Sequence, residues 1–83
     1  MVYEIIWSPK SKEGLRDLEA GIQLRIIRKV GELKLAPYHF IERLTGTTSW
    51  KLRIDDYRIL MDMNEKKKKI YILKVGHRKN IYK

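Results

Sequence analysis

The residues best suited to chemistry lie in the last third of the chain, where Lys51, Arg53, Arg58 and Arg78 occur in short runs of apolar residues, with His77 and Tyr82 close by. Residues two apart in a strand share a face, so Lys51 and Arg53 project together while Trp50, Leu52 and Ile54 point the other way, toward a core. If Trp50–Ile54 pairs with the run that follows across the Asp55-Asp56 turn, Arg58 emerges on or near that same surface, and Arg78 joins from the end of the last strand. Four cations then converge with no carboxylate among them. Like-charge repulsion makes that arrangement costly unless it binds a phosphate.

The charge balance agrees. Residues 50–83 hold 11 Lys/Arg against 4 Asp/Glu, whereas residues 1–49 hold 8 against 6. An excess of positive charge confined to one part of a chain with net charge +9 points to nucleic acid or another polyanion. Histidine is the one side chain that titrates near neutrality without perturbation, so His77 is a candidate for proton transfer; its plainer role is to close a strand with a hydrogen bond. Tyr82 has three roles open to it: stacking on a base, donating its hydroxyl to a phosphate, or anchoring the tail on the sheet. His39, Trp7 and Trp50 read as loop and core residues. The run Lys66–Lys69 reads as a solvated hairpin tip whose most ambitious role is long-range attraction of RNA.

Other chemistries are poorly supplied. The chain has no cysteine, hence no disulfide and no thiolate, and its two histidines are too few for a metal cage without several carboxylates beside them. The reading calls for no metal and no cofactor. At 83 residues the chain is one domain, 1–83, burying roughly 60–65% of its unfolded surface, so any site is a shallow concavity on a sheet. No apolar run approaches the ~20 residues of a membrane span, and the first ten residues lack an export pattern, so a soluble cytoplasmic protein is expected.

The elements that must position these residues follow from local signals. Val2–Trp7 is a β-branched and aromatic run, ended by Ser8-Pro9, a cap and first-turn pair for a helix. Leu15, Leu18 and Ile22 mark one apolar helix face and Ile26, Ile27, Val30 and Leu33 a second, with Gly21 at the bend and Pro37 ending the pattern. Gly31 is expected to permit close packing against strand side chains. Tyr38–Ser49 reads as a loop with a turn of helix near Phe40–Leu44. Trp50–Ile54 and Tyr57–Asp62 form a β-hairpin, Asn64–Lys69 a second turn, and Ile70–Gly76 a central strand followed by a short tail. The fold class is α+β: an N-terminal strand, then an antiparallel αα-hairpin on one face of a mainly antiparallel sheet with a C-terminal β-meander.

This order, with W-K-L-R-I at Trp50–Ile54, D-D-Y-R-I-L at Asp55–Leu60, I-L-K-V-G-H-R at Ile72–Arg78 and I-Y at Ile81-Tyr82, resembles the RelE/ParE superfamily of bacterial and archaeal toxins over nearly the whole chain. RelE-like members are ribosome-dependent mRNA endonucleases, while ParE-like members act on DNA gyrase. The resemblance implies a toxin of a type II toxin–antitoxin system with a RelB-like, acidic, partly disordered antitoxin, the ribosome and mRNA as partners. It also implies a catalytic set of Lys51, Arg53, Arg58, Arg78 and Tyr82, with His77 as a further candidate, and an RNA-binding set of Lys51, Arg53, Arg58, Lys74, Arg78 and Lys79. Retention of the basic set favours the endoribonuclease branch; a gyrase inhibitor and a non-catalytic RNA-binding module are the alternatives. The Glu and terminal His that some relatives use as base and acid are absent, which leaves Lys51 or His77 as the base. On this reading Arg58→Ala abolishes toxicity without unfolding the domain.

Overall fold

The computed structural model describes residues 2–82 and contains five strands, β1 (Glu4–Trp7), β2 (Ile41–Arg43), β3 (Trp50–Ile54), β4 (Tyr57–Asn64) and β5 (Lys69–His77), with helices α1 (Pro9–Arg16) and α2 (Ala20–Gly31). One sheet holds all five strands in the order β1-β5-β4-β3-β2. Only β1 and β5 run parallel; the other pairs are antiparallel, giving the expected α+β architecture. Among the described residues no helix is long and apolar enough to cross a membrane.

The turn from β1 into α1 works as its sequence requires. Ser8 Oγ accepts from the Ser11 amide at 3.0 Å, satisfying a free helix N–H, and donates to the Leu73 carbonyl of β5. That second bond steers α1 along β5, and the two approach so closely at Gly14 that a Cβ there would lie 2.3 Å from the Val75 carbonyl oxygen. Gly14 is thus the glycine required by packing. Gly31, given that role from the sequence, is the last residue of α2 and faces open space. Gly21 is not at the bend either: the chain turns at Asp17–Glu19, where Gln23 Nε2 donates to the Leu18 carbonyl at 2.7 Å and closes the end of α1.

One face of the sheet carries the core. Leu15 of α1 and Ile26 and Val30 of α2 pack with Leu33 against Ile41, Leu52, Ile54, Ile59, Met61, Ile70, Ile72 and Val75. Where the sequence read as a loop with a helical turn at Phe40–Leu44, the chain makes a short 3-10 turn at Pro37–His39 and then β2. Ile41-Glu42-Arg43 is too short to show a period; it becomes a strand because β3 offers a free edge.

The β4–β5 turn is fastened from two sides. Glu65 accepts hydrogen bonds from Tyr3 at 2.8 Å and from Tyr38 at 2.5 Å, and pairs with Lys68 at 3.2 Å. The two hydroxyls hold the Glu65 carboxyl below the usual range, while packing and this carboxylate push Tyr38 up to about 12. A depressed carboxyl contributes stability above its unfolded pKa of about 4.3 that disappears as pH falls through its folded value. A raised tyrosine contributes stability below about 10 that disappears as pH rises toward 12. Thermal unfolding scans are therefore expected to show Glu65→Gln less stable than the parent at pH 7, the gap closing at pH 3. A gap unchanged between those pH values would disconnect Glu65 from acid stability.

Candidate nucleic-acid interface

The second face of the sheet, away from the helices, carries the basic residues. Arg53 and Arg58 are direct cross-strand partners, as are Lys51 and Leu60, Leu60 and Lys74, and Arg58 and Gly76. Partners across a ladder share a face, so Lys51, Arg53, Arg58 and Lys74 lie together over three adjacent strands. Lys74 belongs to this face because of a bulge: Leu60 pairs with Lys74 but Met61 with Ile72, which leaves Leu73 as the extra residue and flips the alternation beyond it.

The same flip puts His77 on the other side. His77 follows Val75 on the helix-facing side, its ring edge-on to Tyr57 at 5.5 Å, and its Nδ1 accepts the Lys79 amide at 3.1 Å. An accepting Nδ1 leaves the ring proton on Nε2. Its carbonyl accepts from Asn80 and Ile81, so His77 starts the turn that folds the tail back. The geometry thus separates it from the four cations.

The tail returns over the basic face. Ile81 is 2% exposed and lies against Gly76, where an added Cβ would stand 3.3 Å from its Cδ1. Lys74 Nζ donates to the Ile81 carbonyl at 2.7 Å. Gly76 is the ladder partner of Arg58, so Ile81 covers the position next to it on this face, and Arg58 is 8% exposed. Arg58 Nη1 donates to the Asp55 and Tyr57 carbonyls, both at 2.8 Å, bracing a turn in which Asp55 adopts φ 51°. Arg78 joins the same turn, its amide donating to the Asp56 carbonyl at 2.7 Å and its Nε 3.7 Å from Asp56 Oδ1. Tyr82, beyond the anchoring Ile81, is 54% exposed, and the Lys79 side chain is exposed.

The expectation of cations without carboxylates needs correction. Glu42 of the unforeseen strand β2 pairs with Lys51 in the ladder, and its carboxylate lies 4.0 Å from Arg53; Asp56 pairs with Arg78, and Asp55 with Arg25 of α2 at 3.0 Å. These pairs are mostly half-exposed and worth about 0–1 kcal/mol each, so they orient the guanidinium groups without sequestering them. A phosphate oxyanion offering bidentate hydrogen bonds displaces such partners readily. Sequence reasoning missed Glu42, Gly76 and Ile81. A glycine opposite the arginine and a lone aliphatic in a polar tail were the available signals.

The comparisons with known proteins agree with this architecture. Residues 5–82 match the family model of the ParE toxin of type II toxin–antitoxin systems, parDE. Among solved structures, the chain is similar to the RelBE2 toxin–antitoxin complex of Mycobacterium tuberculosis (TM-score 0.84, 21% identity, covering 94% of this chain and 100% of that one). The archaeal RelE–RelB complex of Pyrococcus horikoshii OT3 superposes with TM-score 0.81 at 26% identity, covering 96% and 99%. The isolated RelE toxin of E. coli gives 0.76 at 20%, covering 90% and 83%. No curated protein matches the sequence. With the family model spanning residues 5–82 and RelE structures matching nearly the whole chain, the chain belongs to the RelE/ParE superfamily as a toxin of a type II toxin–antitoxin system.

Proposed function

We propose that this toxin is a ribosome-dependent mRNA endonuclease whose substrate lies across the open face of the sheet. The observation that carries the reading is the grouping of Lys51, Arg53, Arg58 and Lys74 on that face, with Arg78 at its upper end. In the reaction, the 2′-oxygen of one nucleotide attacks the adjacent phosphorus and the bond to the 5′-oxygen breaks, leaving a 2′,3′-cyclic phosphate and a free 5′-hydroxyl. Lys51, as the free amine, takes the proton from the 2′-hydroxyl, Arg53 and Arg58 hold the non-bridging oxygens as charge develops, and Arg78 stabilises the departing 5′-oxygen, which takes its proton from solvent water. Tyr82, exposed beyond the site, offers a stacking surface for a base. The ribosome supplies in-line placement of the message, which a shallow open face does not.

A small acidic antitoxin is the expected regulator: the M. tuberculosis and P. horikoshii structures are toxin–antitoxin complexes, and a chain of net charge +9 attracts an oppositely charged partner. The gyrase-inhibitor reading draws on the ParE name of the matching family model. One experiment separates the two. Purified toxin is added to translating ribosomes with mRNA ends mapped, and in parallel to gyrase with supercoiling followed. Cuts confined to ribosome-bound codons are expected; intact message with blocked gyrase overturns the endonuclease reading.

A further inference from the structure

We propose that the Glu65–Lys68 turn is a second RNA-contacting pole, gripping the phosphate backbone of structured ribosomal RNA while the open face works on the message. The proposal rests on the endonuclease reading above. β4 and β5 form one long hairpin whose two ends carry separate basic groups. Arg53, Arg58 and Arg78 gather at the Asp55–Asp56 end, and the four consecutive lysines Lys66–Lys69 lie at the other. Eight residues of β4 at about 3.3 Å each put roughly 25 Å between them. Screening at physiological salt has a length of about 8 Å, so the lysines add little to the field at the first group. Any attraction they exert serves a separate contact.

The turn is built to present positive charge outward. Its single carboxylate, Glu65, is half-exposed but already engaged by Tyr3, Tyr38 and Lys68, and Lys68 also lies over the Tyr3 ring at 5.1 Å. Lys69 is 4.0 Å from Glu4. Lys66 and Lys67 are exposed, and among the described residues neither ammonium meets a carboxylate. Their backbone is fixed: the Lys67 amide donates to Asn64 Oδ1 at 3.0 Å, and Lys68 takes a left-handed φ of 53° that closes the turn. A tip serving solubility needs only exposure. This one is anchored to β1 through Tyr3 and to the 3-10 turn through Tyr38, so binding a phosphate there loses little backbone entropy.

The chemistry selects backbone phosphate rather than bases, since lysine ammoniums are compact point charges on a convex tip without a groove to read an edge. It selects ribosomal RNA because a toxin whose opposite end engages a message on the ribosome has, about 25 Å away, a surface made largely of RNA. An acidic protein segment is the competing occupant, and the test separates them.

The experiment compares the parent with Lys66→Glu/Lys67→Glu and Lys66→Gln/Lys67→Gln, measuring affinity for 70S ribosomes across a salt series and cleavage at saturating ribosomes. Both side chains are exposed, so equal melting temperatures are expected. The expected result is at least tenfold weaker ribosome binding for the Glu pair, a smaller loss for the Gln pair, a salt slope shallower by about one to two, and an unchanged cleavage rate at saturation. Parent-like affinity and slope in both variants overturn the proposal while leaving the endonuclease reading intact. So does parent-like ribosome binding coupled with lost affinity for an acidic antitoxin. A parent that neither binds ribosomes nor cuts message overturns both.

Discussion

Replacing Arg58 with alanine is expected to abolish mRNA cleavage and also to cost the domain about 2 kcal/mol, because one guanidinium does two jobs. Its Nη1 braces the hairpin turn through the Asp55 and Tyr57 carbonyls, and the residue is 8% exposed, its ladder partner Gly76 covered by Ile81. Truncation leaves those carbonyls short of a donor and opens a gap under the tail. For a domain of this size the loss lowers the melting temperature by roughly 8–16 °C. The sequence alone led to an alanine variant that lost activity without disturbing the fold; a buried, twice-bonded arginine makes that clean separation unattainable with alanine. Arg58→Lys supplies it, since the ammonium keeps the charge but cannot brace two carbonyls while also offering a phosphate a planar fork. Cleavage assayed well below each variant's melting point reads the chemical role alone. An Arg58→Ala protein that is folded at the assay temperature and cuts at the parent rate would leave Arg58 a purely structural brace.

How far the sequence could be read depended on whether a feature was local. The Asp55-Asp56 hairpin, the Ser8-Pro9 helix start and the pairing of Lys51 with Arg53 on one face all follow from period-two alternation or from capping chemistry within a few residues, and the structure has each of them. Features that needed a distant partner were not readable. Gly14 and Gly31 look alike in a helical pattern, and only the register of α1 on β5 decides which one touches a carbonyl. β2 is three residues long and exists by virtue of the β3 edge, so Glu42 arrived beside Arg53 unannounced. The Leu73 bulge is the most consequential of these. Simple alternation from Ile70 through Gly76 places Lys74 with the buried isoleucines and His77 opposite them, whereas one extra residue exchanges the two. The bulge thus supplies the basic face with a fourth cation and removes its only nearby imidazole.

That exchange decides which residue to test as the base. Lys51 stands half-buried on the open face, two residues from Arg53 and across the ladder from Leu60, where the phosphate would lie on the proposed reading. His77 is across the sheet, its Nδ1 occupied by the Lys79 amide and its ring against Tyr57. Lys51→Ala is therefore expected to reduce single-turnover cleavage on the ribosome by roughly 10²–10⁴-fold, the range for loss of a positioned acid or base. His77→Ala is expected to leave that rate within a few-fold of the parent and to act instead on stability, through the lost ring contact and the loosened tail. The sharper comparison is Lys51→Arg. It preserves the positive charge and most of the stem, so a purely electrostatic Lys51 tolerates it; yet guanidinium does not release its proton at ordinary pH, so a Lys51 that accepts the 2′-hydroxyl proton cannot be replaced in this way. A Lys51→Arg toxin that cleaves at near-parent rate would reduce Lys51 to a phosphate contact. A His77→Ala toxin that is folded but a thousandfold slower would mean that the imidazole reaches the message from the far side of the sheet, which the tail turn as it stands does not allow.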